Sequence, residues 1–320
     1  MMNYRLMPVL LLLAAVFLPL TVESRRIAAQ GRRYWSLNEV GYRYGMRDMG
    51  SSLADRKQIL SFRKDQRQFT INGVRYILNF APLAGDGTMF LCDMDIFTQL
   101  DPILRPWDVP NHRVRHIVID PGHGGKDAGA IRGGLREKDL TLSIAKRVRD
   151  KLIRAGYRVT LTRHSDIALT LGQRAALAKA LKADLFLSIH INAASASAVS
   201  GIETYAMTPA GAPSSTNAKT VNTRHPGNRC DLNNLALASM IHRYMLGRTG
   251  GMDRGVKRAR FQVLREITMP GVLIECGFIS NPAEARRMAT ADYQEKLAKG
   301  IADGVHAYKL SIMKNRKMLK

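Results

Sequence analysis

Cysteine is scarce: Cys92, Cys230 and Cys276 are the whole complement of a 320-residue chain. Thiols so few and so scattered cannot build a disulfide scaffold, and their spacing matches no zinc–cysteine site. A bridge between Cys92 and Cys230 stays open in an oxidising compartment, while Cys276, inside an apolar run, reads as a small buried hydrophobe. Acidic residues are scarce as well, 26 Asp and Glu against 49 Lys and Arg, for a net charge of +23. Such an excess attracts polyanions: nucleic acid, acidic lipid headgroups or an anionic wall polymer. Aromatic residues make up 7% of the chain. They do not interleave with basic residues in the way that stacks bases, and no RNA- or DNA-binding motif is present, so no nucleic-acid partner is expected.

What is there begins with an export pattern. Arg5 precedes an apolar run over 7–22, and Val22-Glu23-Ser24 offers tolerable residues for cleavage after Ser24. Residues 1–24 are therefore expected to be a signal peptide, and the protein to be exported to the periplasm or cell envelope. A retained anchor is the alternative, because the run is only a little shorter than the ~20 residues that span a bilayer and Arg25 and Arg26 come directly after it. No cysteine stands near its end, so lipid attachment is not expected.

Residues 25–110 differ in character from the rest of the chain. The stretch 25–33 is a basic, polar linker, and 69–78 alternates about Asn72-Gly73, a strong hairpin signal. A small β-containing module is expected there, with Pro106, Pro110 and Asn111 marking its boundary. A second domain then covers 111–312, and a basic tail 313–320. Within that domain strands and helices alternate. Leu140, Ile144, Val148 and Leu152 recur at helical spacing, and Gly156 stands where a C′ residue ends the helix. Thr170 and Gln173 form a capping box, 185–189 and 271–275 read as buried strands, and Asn281-Pro282 opens a late helix. The fold class is α/β: a largely parallel or mixed twisted sheet flanked by helices, preceded by the small module.

Chemistry concentrates where strands end. Ile117-Val118-Ile119-Asp120-Pro121-Gly122-His123-Gly124-Gly125 is an apolar, β-branched strand that delivers a histidine to a glycine-rich loop. Taken alone it is equally a turn with a solvated histidine. His190 follows the apolar strand at 185–189, and Glu275 closes another. In open α/β sheets the functional crevice lies outside the carboxyl ends of the strands. Glu137, equally readable as a first-turn acid favoured by the helix dipole, completes a set of two histidines and one carboxylate. Zinc takes such ligands and leaves a fourth position for water, whose pKa it lowers to roughly 7. Glu275, an acid after three apolar residues, is costly to bury without a purpose and is placed to move the proton.

The motifs Asp120-Pro121-Gly122-His123-Gly124-Gly125, Glu137, Ser188-Ile189-His190-Ile191-Asn192-Ala193, Gly201-Ile202-Glu203-Thr204, Arg254-Gly255-Val256-Lys257 and Glu275-Cys276-Gly277-Phe278 together resemble the zinc-dependent N-acetylmuramoyl-L-alanine amidases of bacterial cell walls. The likeness runs from about Val114 to Leu310. It implies one Zn2+ held by His123, Glu137 and His190, Glu275 as acid/base, and hydrolysis of the amide between N-acetylmuramic acid and L-alanine in peptidoglycan. Asn192 and Arg258 are candidate substrate contacts. The basic run Arg254, Lys257, Arg258, Arg260 could grip stem-peptide carboxylates or be a solvated face. Glu203 is the next carboxylate to test should Glu137 prove dispensable. In some relatives a helix inserted in the stretch that corresponds to 205–232 blocks the zinc until an activator removes it. Here 207–217 is polar and proline-interrupted, so a flexible rim loop without such a plug is expected. Other readings are a zinc peptidase acting on the stem peptide and a non-catalytic wall-binding regulator. An activator protein is a further possible partner, and a membrane only if the leader is retained.

Overall fold

A computed structural model of the chain describes residues 25–85 and 87–313. The expected signal peptide, 1–24, and all but the first residue of the expected tail, 313–320, lie outside the described residues. The N-terminal part comprises β1 (Arg26–Ala29), β2 (Arg32–Ser36), α1 (Leu37–Tyr44), β3 (Arg47–Asp48), β4 (Ser52–Ala54), β5 (Ile59–Arg63), β6 (Gln66–Ile71), β7 (Val74–Ile77), β8 (Leu83–Gly85) and β9 (Thr88–Cys92). Short helices α2 (Asp93–Asp95) and α3 (Asp101–Leu104) come next, joined by a π-turn. The expected hairpin is β6–β7: Ile71 pairs with Val74 across Asn72 and Gly73, whose φ values of 50° and 81° are what a type I′ turn requires.

The remainder runs β10 (His116–Pro121), a two-stranded ribbon of β11 (Ile131–Arg132) and β12 (Leu135–Arg136), α4 (Glu137–Arg154), β13 (Arg158–Leu161), α5 (Leu171–Ala180), β14 (Leu185–Asn192) and β15 (Ile202–Met207). Then come β16 (Ala212–Pro213), β17 (Thr220–Val221), α6 (Asp231–Thr249), β18 (Asp253–Ala259), α7 (Gln262–Glu266), β19 (Gly271–Phe278), α8 (Pro282–Met288) and α9 (Ala291–Met313). The stop and start signals act as the sequence proposes. Gly156, at φ 84°, lies just past the end of α4; Thr170 and Gln173 cap α5 reciprocally; Asn281 accepts from the N–H groups of Ala283 and Glu284 at the start of α8.

Eleven strands form the main sheet in the order β13-β10-β14-β19-β15-β18-β7-β6-β5-β4-β3. The four from β13 to β19 are parallel, β15 runs antiparallel to β19, and β18 returns parallel to β15. The α/β class with a mixed sheet thus holds. Alternation along β10, β14 and β19 divides the core. Ile117, Ile119, Leu187 and Ile274 face α4, α6 and α9, while Val118, Phe186 and Leu273 face α5 and α7. With helices on both faces, these strands read as unbroken apolar runs.

The reversal of β15 decides what borders the site. Its first residues reach the edge where β10, β14 and β19 end, so Glu203 pairs with Glu275. The segment after Met207 leaves at the opposite end, which corrects the expected rim loop at 207–217. Nor is that segment loose, since Arg67 donates to the carbonyls of Ser214 and Pro213 at 3.0 and 3.1 Å and Arg260 to those of Pro209 and Ala212 at 3.0 and 2.6 Å. Among the described residues, 208–225 contain no α-helix. The connection from β14 to β15 is the rim instead. It is tied down by Ala194 N–H to Ser280 Oγ at 3.0 Å, Asn281 Nδ2 to Ser197 O at 2.9 Å, and Gly201 N–H to the Glu284 carboxylate at 3.0 and 3.1 Å.

Candidate active site

The first arm is the loop after β10. Gly122 N–H donates to Ile189 O at 2.9 Å, and the backbone then turns through His123 in the left-handed region, φ 62°. A non-glycine residue there is strained unless its surroundings over-determine it. Two buried arginines do so. Arg174 donates to Pro121 O at 2.7 Å and His123 O at 2.8 Å, and Arg163 to Pro121 O at 3.1 Å and Gly122 O at 2.8 Å. Arg174 is neutralised by Asp120 at 2.8 Å, whose carboxylate also accepts from Thr162 and Ser188. In the sequence Asp120 belongs to a motif without an evident role of its own. Nothing local marks Arg163 or Arg174 as part of the site, because the carbonyls they hold at 121–123 and the Asp120 carboxylate lie about 40 to 50 residues away in sequence.

The second arm is Glu137, the first residue of α4. Its Oε2 accepts from Ala130 N–H and its Oε1 from Ile191 N–H, each at 3.0 Å. That Oε1 also lies 3.1 Å from both His123 Nε2 and His190 Nδ1. Burial pushes the Glu137 carboxyl up, but the hydrogen bonds of His123 and His190, with the charge of His190 and the Ala130 N–H, outweigh it and hold the group well below the usual range. On the far side of the His123 ring, Nδ1 is 2.8 Å from Asp127 Oδ2. A carboxylate in that position fixes ring orientation and tautomer and leaves the other nitrogen for a metal.

His123, Glu137 and His190 each offer a donor atom, and these atoms lie within 4.8 Å of one another. The donor set fits zinc: imidazole and carboxylate ligands, three in number, with a carboxylate behind one histidine. The backbone is cleared for it. A Cβ on Gly122 would stand 2.3 Å from the His190 ring, and one on Gly129 would stand 2.6 Å from Glu137 Oε2 and 2.7 Å from the His123 ring.

Glu275 is the register partner of His190 on one side and of Glu203 on the other. Its Oε2 is buried with no hydrogen-bond partner among the described residues. Burial, then the charges of Glu137 and Glu203, raise its carboxyl well above the ordinary range, while Lys257 opposes the shift. An unpartnered carboxyl with a raised pKa beside a metal-donor cluster has the properties of a proton-transfer group.

The remaining candidates separate. Asn192 donates through Nδ2 to Glu203 at 3.1 Å and accepts Ala193 N–H at 2.7 Å, so both ends of its amide are engaged at the edge of the site. Glu203 is no spare ligand: it accepts from Lys257 at 2.6 Å, Arg254 and Tyr205 at 2.8 Å, and Asn192. Arg258 is a correction. The residue is 2% exposed, its guanidinium donates to Met207 O and Thr98 O, and burial pulls its pKa down to about 10, so it is spent on backbone inside the fold rather than open to a substrate. Cys92, Cys230 and Cys276 are free thiols.

Residues 117–307 match the protein-family model described as N-acetylmuramoyl-L-alanine amidase. The chain is 40% identical over 192 residues to the N-acetylmuramoyl-L-alanine amidase LytC of Bacillus subtilis (strain 168), a match over 60% of this chain and 35% of that protein. Among solved structures it resembles the catalytic domain of CwlV, an N-acetylmuramoyl-L-alanine amidase from Bacillus (Paenibacillus) polymyxa var. colistinus, at 37% identity and TM-score 0.51, over 61% of this chain and 98% of that one. It also resembles the CwlD amidase from Clostridioides difficile, solved in complex with the GerS lipoprotein, at 28% identity and TM-score 0.52, over 62% of this chain and 99% of that one.

Proposed function

The chain belongs to the N-acetylmuramoyl-L-alanine amidase family, and from that membership we propose that it is an exported, zinc-dependent enzyme that hydrolyses the amide between N-acetylmuramic acid and L-alanine in peptidoglycan. The observation that carries the reading is the alignment of His190 and Glu275 on neighbouring strands, with His123 and Glu137 closing the donor set.

Zinc bound by His123, Glu137 and His190 supplies Lewis acidity toward the scissile carbonyl and toward water. The chain's own residues do the rest. Glu275, ionised, takes the proton of the attacking water and returns it to the leaving amine of L-alanine, so that charge never accumulates on the departing nitrogen. Asp127 keeps the His123 ring oriented, and Arg163 and Arg174 hold the backbone beneath it. Export is supported by the leader pattern of residues 1–24 and by a substrate that lies outside the cytoplasm. No described helix is long and apolar enough to cross a membrane. An activator protein belongs to the same proposal, because the CwlD amidase is held in complex with a lipoprotein. Full activity of the purified chain without any partner counts against that part.

Digestion of purified peptidoglycan tests the reaction. Free L-alanine amino termini on intact glycan chains are expected, abolished by a chelator and restored by zinc. Cleavage only within the peptide would show a peptidase instead. His190→Ala should lose bound zinc, and full occupancy in that variant removes it from the ligand set.

A further inference from the structure

The basic run that the sequence offers as a block is divided by β18: Lys257 and Arg258, adjacent in the strand, point to opposite faces of the sheet, and Arg260 lies past the strand's end. Arg258 and Arg260 are spent on backbone carbonyls away from Glu275. Arg254 and Lys257 converge on Glu203 Oε1, at 2.8 and 2.6 Å, one strand away from Glu275. The charged groups then form one row across four adjacent strands: His190 on β14, Glu275 on β19, Glu203 on β15, and the two cations on β18.

We propose that Arg254 receives a carboxylate of the stem peptide, with Glu203 as the group that aims it, an assignment that rests on the amide-hydrolase reading above. The two cations differ in what they have left to offer. Lys257 is the more buried, its side chain 18% exposed, and its ammonium is committed to Glu203. The Arg254 side chain is 33% exposed and engages Glu203 through Nε alone. Its Nη1 and Nη2 have no protein hydrogen-bond partner among the described residues. A guanidinium held at Nε presents those two nitrogens as a fork, the geometry that takes a carboxylate bidentately. Its other restraint is the Phe278 ring, 5.0 Å below the guanidinium carbon, which fixes the plane without using a donor.

Charge and reach agree with this. Two cations on one carboxylate leave one positive charge at the end of the row, so an incoming anion is attracted. Glu203 is itself fixed on its second oxygen by Tyr205 at 2.8 Å and Asn192 at 3.1 Å, so the fork is aimed before substrate arrives. β18 is three strand spacings from β14, about 14 Å between backbones, and the Arg254 side chain recovers part of that distance by reaching back to β15. An extended peptide advances about 3.4 Å per residue, so the group reached belongs about two to three residues beyond the cleaved amide.

The test uses zinc-loaded full-length protein and muramoyl peptides of matched length whose carboxylates are either free or converted to amides. The wild-type protein should show kcat/KM higher by about 10- to 100-fold on the free-carboxylate peptide, most of it in KM, the size expected of a charge-assisted hydrogen-bonded contact. Arg254→Gln should bring the ratio between the two peptides to about one, and Arg254→Lys, which keeps the charge without the fork, should restore it in part. Glu203→Gln should weaken the preference with the arginine still in place. Equal rates on both peptides in the wild-type protein, or an equal loss on both in Arg254→Gln, would overturn the assignment while leaving the amidase reading intact. Failure of the wild-type protein to cleave either peptide would overturn both.

Discussion

Glu275 differs from the other acids near the site in that its environment leaves it unpaired, the property on which its proposed role rests. Every other buried acid near the site is answered: Asp120 by Arg174, Glu137 by two histidines and two backbone N–H groups, Glu203 by two cations. The Oε2 of Glu275 has no partner among the described residues, and burial is the first cause of its raised pKa. This sets the sign for activity. As a base the group must be ionised, so kcat/KM should climb with pH through its pKa, with an acid limb above the ordinary carboxylate range. A metal held by Glu137 would offset its repulsion, but the burial remains. Glu275→Gln should keep its zinc, lose about 10²–10⁴ in rate and lose that limb from its pH profile. Near-normal turnover in this variant removes Glu275 from the reaction.

At the scale of elements, the site depends also on α6 and α9, helices that contribute no residue to it. α4 carries Glu137, and α4 is set against the sheet together with α9, which crosses α6 at a contact made by glycine. A Cβ on Gly304 would stand 2.4 Å from the Cα of Ile241, and one on Gly300 2.7 Å from the Cα of Met245. Gly304→Ala would gain helix propensity, but backbone cannot yield as a side-chain tip can, so overpacking wins: a loss of about 1–3 kcal/mol is expected. Urea denaturation at fixed m-value measures it, and an unchanged or raised midpoint would show that the helices can separate at no cost. Much of this level is legible in the sequence. The strands that lead to His123 and hold His190 and Glu275 lie between helix layers and so announce themselves as apolar runs, and the caps at Thr170 and Asn281 are written in nearby residues. β18 is not legible, because Arg254, Lys257 and Arg258 read equally as a grip for stem-peptide carboxylates and as a solvated face until the acceptors on other elements are known. The direction of β15 escapes for the same reason: no residue in it records which way its neighbour runs, so the sequence pattern puts the rim at the wrong end of the strand.

At the scale of the whole molecule, the N-terminal part and the catalytic part share one sheet and one core. Val256 of β18 pairs with Tyr76 of β7, Arg75 N–H donates to Asp253 at 2.7 Å, and the Tyr76 hydroxyl meets Ser239 of α6 at 2.9 Å. A single apolar cluster contains Leu53, Leu60 and Phe69 on one side and Leu235, Ile241 and Ile301 on the other. Asp253 is held twice more, by His242 at 2.8 Å and by Gly255 N–H at 2.7 Å, so the junction strand is anchored from its own helix as well as from β7. Removing residues before 110 would bare the edge of β18 and the apolar faces of α6 packed beneath it, which is costly in water. The two parts are therefore expected to unfold together. The sequence provides the probes, since its tryptophans, Trp35 and Trp107, both precede residue 110, whereas the long helices α4, α6 and α9 all lie beyond it. Tryptophan fluorescence and far-UV circular dichroism, followed through the same urea titration, should give coincident midpoints. A fluorescence transition completed before helix is lost would show that the N-terminal part is a separable module, and that the catalytic sheet tolerates β18 as an edge.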